Sequence, residues 1–138
     1  MLLSKISDYF TKKWEQKVRD HCDSQYERIQ VKPGDLHLYW KCHYVATHYA
    51  IENDHEKLAL VTQREKQHTL PVIHFVNFDG KDFIDNSMGH WVNSYEYRFV
   101  RWVPKEEFYD TVYILGDTKK FFQKMATFFQ RRFGDTEN

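Results

Sequence analysis

Residues 71–91 read PVIHFVNFDGKDFIDNSMGHW, two alternating runs on either side of Asp79-Gly80. Asp-Gly between such runs is the strongest short-range signal for a β-hairpin, and it predicts strands over 70–78 and 81–86. With a two-residue loop Phe78 faces Lys81. Counting back from there sets His74 directly opposite Asp85, on the same face of the ribbon. A three-residue loop with a bulge would move the register by one and bring Asn86 opposite instead. Asp-Gly suits the shorter loop, so Asp85 is the expected neighbour and Asn86 the alternative. A histidine held beside such a group is an oriented imidazole that still needs a nucleophile.

Working outward, residues 57–63 (KLALVTQ) read as a buried strand joined to the hairpin by a polar link. Residues 94–103 alternate, with Tyr95, Tyr97 and Phe99 on one face and Glu96 and Arg98 on the other, until Pro104 ends the run. Residues 112–115 suggest a further short strand. Towards the N-terminus, Leu3, Ile6, Phe10, Trp14, Val18 and Cys22 mark an amphipathic helix over 3–22. Cys22 continues its apolar stripe and reads as a small buried hydrophobe. Residues 27–32 suggest a short strand, and Pro33-Gly34-Asp35 a turn. Residues 36–40 lead into a second helix over 41–53, on which Cys42, Val45 or Ala46, Tyr49 and Asn53 share a face. Gly116-Asp117 opens a last helix, with Asp117 as N-cap and Gly134 as its terminator. The expected fold is one α+β domain over 1–138: two N-terminal helices, an antiparallel sheet of four to five strands and a C-terminal helix, with 134–138 a frayed tail.

Composition narrows the function. The 138 residues suffice for a single core without staples. Acids and bases balance at 20 each, which argues against a nucleic-acid partner. No run approaches the roughly 18 apolar residues of a membrane span. Lys5 and Asp8 interrupt the opening Met-Leu-Leu too soon for a signal peptide. Two cysteines make no disulfide framework, and a reducing compartment, the cytoplasm, is the expected location.

Cys42 is the candidate nucleophile. A helix N-terminus and a neighbouring imidazole both favour the thiolate. His74 would act as general base, and Asp85 would orient it and stabilise the imidazolium. The competing reading is inert: Cys42 lies on an apolar helix face, and a strand histidine is often a hydrogen-bonded core residue. Metal binding has less support. His43 and His48 stand about 140° apart around a helix, and neither a His-x-x-x-His nor a Cys-x-x-Cys spacing occurs. The chemistry expected of Cys42 calls for no cofactor.

A cysteine at a helix start followed by histidine and an acid or amide on consecutive strands resembles the papain-like superfamily. That group includes papain-type peptidases, NlpC/P60-type amidases, transglutaminase-like proteins and arylamine acetyltransferases. Asn86-Ser87-Met88-Gly89 is similar to the papain-type Asn-Ser-Trp-Gly motif. The resemblance covers residues 41–91 and implies a papain-like core with a Cys-His-Asp/Asn triad. It implies Asp85 as third residue in the transglutaminase-like arrangement and Asn86 in the papain-type one. Three positions depart from the papain pattern. Cys42 sits in Lys-Cys-His-Tyr, Met88 stands where papain has its shielding tryptophan, and no glutamine sits at the usual short distance before the cysteine, so that Gln30 is a distant candidate for the oxyanion hole. Trp91 or Trp40 would supply shielding or substrate contact in place of the missing ring.

The expected function is therefore a small cysteine hydrolase or acyltransferase for an amide, ester or thioester bond in a peptide-like or acyl substrate. The alternative is a non-catalytic binding or inhibitor protein acting on a protein partner. Its surface would be the aromatic sheet face or the last helix, where Lys119, Lys120, Lys124, Arg131 and Arg132 occur with no acid among them. A basic amphipathic helix can dock to an acidic partner. A solvated basic face opposite a packed phenylalanine face explains the same residues.

Overall fold

The computed structural model describes residues 1–37, 41–65 and 69–136. The fold is α+β: an N-terminal helix, a six-stranded curled sheet and C-terminal helices. The first helix, α1 (Leu2–Gln25), buries Trp14, Val18 and Cys22, the one-turn steps of its apolar stripe. The Trp14 indole N–H donates to the Phe122 carbonyl at 2.8 Å, which ties α1 to the C-terminal helices.

The strands are β1 (Glu27–Ile29), β2 (Val31–Pro33), β3 (Lys57–Arg64), β4 (Val72–Phe78), β5 (Phe83–Asp85) and β6 (Glu96–Val103). They run in the order β1-β6-β3-β4-β5-β2. The sheet is mixed, because β2 pairs parallel with β5; this corrects the expected antiparallel sheet of four to five strands. The cause is a break at Gln30 in what the sequence suggests is one strand. Ile29 pairs with Tyr97 on one edge and Val31 with Phe83 on the other. Six flat strands would span about 24 Å at about 4.8 Å per step, far more than one residue can bridge. The sheet therefore curls into a half-barrel, and its two edges approach each other at Gln30. A bulge between Leu60 and Val61 in the β3–β6 pairing adds to the curvature.

The hairpin also differs from expectation. Phe78 pairs with Phe83 and Asn77 with Ile84, so the loop is 79–82 rather than Asp79-Gly80 alone. Asp79 Oδ1 accepts the backbone N–H groups of Lys81 (2.9 Å) and Asp82 (2.7 Å), an Asx-type turn that holds the wider loop. Gly80 takes the positive φ of 99° that the turn requires.

A helix replaces the strand expected at 112–115. A 3-10 turn, Lys105–Asp110, runs directly into α3 (Thr111–Gln123). Asp117 is thus in mid-helix and is no cap. α3 stops at Gln123, and α4 (Phe128–Phe133) restarts with a capping box between Thr127 and Gln130. Gly134 ends it. Phe10 of α1 packs its ring against Phe129 and Phe133 of α4.

The remaining helix, α2 (Cys42–Glu52), lies on one face of the sheet. Its inner side is Cys42, Ala46 and Ala50, against Leu58, Leu60, Phe75 and Val103; Asn53 of the expected face is exposed. The other face carries Ala59, Val61, Val76 and Tyr97 with Val31 and Val92, closed on itself by the curl.

Candidate active site

Cys42 is the first residue of α2, and among the described residues no side chain caps that helix. The first-turn N–H groups and the helix dipole therefore favour negative charge there. β5 pairs with β4 only at Asn77 and Phe78, so the earlier part of that edge of β4 is not covered by β5. The start of α2 approaches it: Cys42 packs against the cluster that contains Phe75, whose backbone N–H favours the thiolate.

His74 is buried and bonded on both sides. Its Nε2 lies 2.7 Å from Asp85 Oδ2, and on its other side it interacts with Cys42, which shares the cleft with it; that leaves Nδ1 as the nitrogen for the thiol. Asp85 pairs across the hairpin from the position of Val76 rather than His74, as the Asn77–Ile84 pairing dictates. A register offset of two keeps the face, so the contact is diagonal instead of direct.

Asp85 is fully buried and fully satisfied. Oδ1 accepts from the Ser87 N–H (2.9 Å), the Ser87 hydroxyl (2.7 Å) and the Met88 N–H (3.1 Å). Oδ2 accepts from His74 and from the Tyr97 hydroxyl at 2.9 Å. Tyr97 in turn accepts from Gln63 Nε2 at 2.9 Å. Burial and the Asp85 charge hold the Tyr97 phenol well above its ordinary range, so it remains a donor.

These contacts set the charges. Burial alone would raise the Asp85 carboxyl, but the bonds from His74 and Ser87 outweigh it and hold the group far below the usual carboxylate range. Burial would lower His74, yet the thiolate of Cys42 and the Asp85 carboxylate raise it to about 10. Burial would raise Cys42, but the imidazolium and the Phe75 N–H bring it below its ordinary value. The arrangement favours a thiolate–imidazolium pair. Cys22, by contrast, is pushed up to about 12, first by burial and then by Asp23, and is an inert thiol.

The other expected residues divide. Asn86 is not on His74: it faces the opposite side of β5's end and donates to Asn77 Oδ1 at 2.9 Å. Asn77 donates to the Ala46 carbonyl of α2 at 2.7 Å, so this amide chain braces α2 on the sheet. Trp91, 52% exposed, stands at the cleft with its ring stacked on His90. Gln30 is not among the residues lining the cleft, because it occupies the exposed β1–β2 break. Trp40 lies outside the described residues. Lys120, Lys124 and Arg131 surround one shallow hollow; Lys119 is exposed on α3, and Arg132 lies over the Phe133 ring.

Cys42 and His74 open into a cleft of about 450 Å³ walled by Leu36, Ile73, Met88 and Trp91. Hollows of about 580 and 550 Å³ occur elsewhere, and neither contains a cysteine. Among the described residues no three of His, Cys, Asp and Glu converge to hold a metal ion. Sequence reasoning misses Tyr97, Gln63 and Asn77. A lone Asn inside the apolar run VIHFVNF is the one available signal, since a polar group in a buried strand needs a partner. The chain matches no family model, no curated protein and no solved structure.

Proposed function

We propose that the chain is a small cysteine hydrolase or acyltransferase, built on a papain-like plan and acting on an amide, ester or thioester bond. The observation that carries this reading is His74 held between Cys42 and Asp85. The Cys42 thiolate attacks the carbonyl carbon, and a C–S bond forms. The carbonyl electrons move to oxygen, where the backbone N–H of Cys42 at the start of α2 stabilises the charge. His74 passes its proton to the leaving oxygen, sulfur or nitrogen as that bond breaks, giving a thioester on Cys42. His74 then takes a proton from water or an acceptor that releases the acyl group. Asp85 keeps the imidazole in the required tautomer throughout, and Trp91 shields the pair. No cofactor takes part. A working thiolate suits a reducing compartment.

The test is the rate of Cys42 alkylation by iodoacetamide between pH 4 and 10, with peptide mapping to separate Cys42 from Cys22. Rapid reaction below pH 7 that disappears in His74→Ala is the expected result. Slow reaction titrating near the ordinary thiol value, about 8.5, in both proteins would overturn the proposal.

A second reading rests on the exposed corner where Lys120, Lys124 and Arg131 gather around one hollow. It is a surface for an acidic protein partner. Charge removal at Lys120, Lys124 and Arg131 would abolish such binding, and Cys42→Ser would leave it intact.

A further inference from the structure

The cleft has two chemical sides. On one stand the reacting groups Cys42 and His74. Leu36, Val72, Ile73, Met88, Trp91 and Tyr95 form most of the rest of the wall, with His37, Gln63 and Ser87 as its polar members. Among the described residues no Asp, Glu, Lys or Arg lines it. Asp85 is no exception, being sealed behind His74 with both oxygens committed.

Gln63 also borders the cleft. The hydrogen-bond chain fixes its orientation. Tyr97 spends its proton on Asp85 and so must accept from the Gln63 NH₂. What Gln63 has left to offer is its carbonyl oxygen and the second N–H of its amide, an uncharged polar pair. The His74 imidazolium is already committed to Asp85 and the Cys42 thiolate, so a carboxylate or phosphate on the substrate would meet no Lys or Arg there, and an ammonium would meet no carboxylate. Removing either charge from water without a partner is costly. An apolar acyl group loses nothing of the kind, and it gains burial against Ile73, Met88 and Trp91.

Resting on the proposed Cys42 chemistry, we infer that the cleft accepts an uncharged, apolar acyl group, delivered as an ester or thioester to the Cys42 sulfur. The thiolate displaces the alcohol or thiol, His74 protonates the leaving group, and the acyl chain remains in the cleft as a thioester. Val72 at the cleft mouth is half exposed, so a charge introduced there meets water on one side and the bound acyl group on the other.

The experiment compares p-nitrophenyl hexanoate, acetate, hemisuccinate and 6-aminohexanoate, reading p-nitrophenolate release and the mass added to the Cys42 peptide. Hexanoate should acylate Cys42 at least about tenfold faster than acetate, as burial of several methylenes in an apolar pocket implies, and faster than both charged esters. Val72→Arg should lower the hexanoate rate and raise the hemisuccinate rate. Equal rates for all four esters, or preference for a charged one, would overturn the inference while leaving the cysteine chemistry standing. The same holds for no acylation by any ester when Cys42 still alkylates rapidly below pH 7. Loss of that low-pH alkylation as well would overturn both.

Discussion

Tyr97 and His74 meet at one atom: each hydrogen-bonds Asp85 Oδ2, the first at 2.9 Å and the second at 2.7 Å. That oxygen therefore has to be an acceptor, and the imidazole nitrogen facing it must carry a proton. An amide in place of the carboxylate would present either NH₂ to two donors or its oxygen to them at the expense of the Ser87 and Met88 N–H groups. Asp85→Asn should lower the iodoacetamide rate of Cys42 at pH 6 by about tenfold or more, one unit of thiol pKa. It should also cost about 1–3 kcal/mol of stability for the donors left unpaired. An unchanged alkylation rate in the folded variant would mean that Asp85 does not support the His74 imidazolium.

Gly34 is the close approach that keeps β2 against β5. Its N–H donates to the Asp85 carbonyl at 3.0 Å, and a Cβ at this position would collide with Asn86 Oδ1 and crowd Ile84. Gly34→Ala should destabilise by about 1–3 kcal/mol, as overpacking does, measured by urea unfolding. Because Asn86 and Asp85 would be displaced together, low-pH reactivity of Cys42 should fall too. Wild-type stability in this variant would mean that the edge gives way to a methyl group without cost.

Much of the site is legible in the amino-acid sequence, and parity is the reason. Side chains alternate strictly along a strand, so a difference of two in the hairpin register leaves His74 and Asp85 on one face. The same rule explains why Asn86 cannot serve: an odd shift moves it to the side of Asn77 and α2. The β2–β5 pairing is not legible, because three-residue strands carry no periodicity and their partners depend on how the sheet closes. The start of α3 is equally obscure, because residues 112–115 are a short apolar run that fits either a strand or a helix turn. Tyr97 reads only as one of three aromatics on a strand face, since its bond to Asp85 depends on a curl that no local pattern encodes.

The C-terminal end of α1 is held to the sheet by charge. Arg64 Nη2 reaches Asp23 at 2.7 Å and Glu96 at 2.8 Å, and the Arg64 and Glu96 side chains are both nearly inaccessible. Bonds from Arg98 and Arg64 together overcome burial and hold the Glu96 carboxyl below its ordinary value. Glu96→Ala leaves the buried guanidinium with Asp23, which is more exposed. The expected loss is about 2–3 kcal/mol, less than the 3–5 for an arginine stripped of every partner. A loss under about 0.5 kcal/mol, typical of an exposed pair, would contradict the buried geometry.

The Cys42–His74 pair should leave a plateau in the pH dependence of stability. A folded thiolate–imidazolium pair holds one proton. The unfolded chain also holds one, on the thiol, between the ordinary values of about 6.5 for His and 8.5 for Cys, so the slope there is zero. Below about 6.5 the unfolded histidine takes up a second proton that the folded pair refuses, so the lowered Cys42 value makes stability fall as pH falls. Above about 8.5 the unfolded thiol loses its proton while the folded imidazolium, raised to about 10, keeps its own. The raised His74 value therefore makes stability fall as pH climbs towards 10. Asp85, held low, adds a further loss only below the ordinary aspartate value of about 3.9. Urea midpoints from pH 4 to 10 should trace this flat-topped curve in wild type. In a Cys42→Ser, His74→Ala double variant both shoulders should disappear. Shoulders that persist in the double variant would assign the titration to other groups and leave Cys42 and His74 uncharged in the fold.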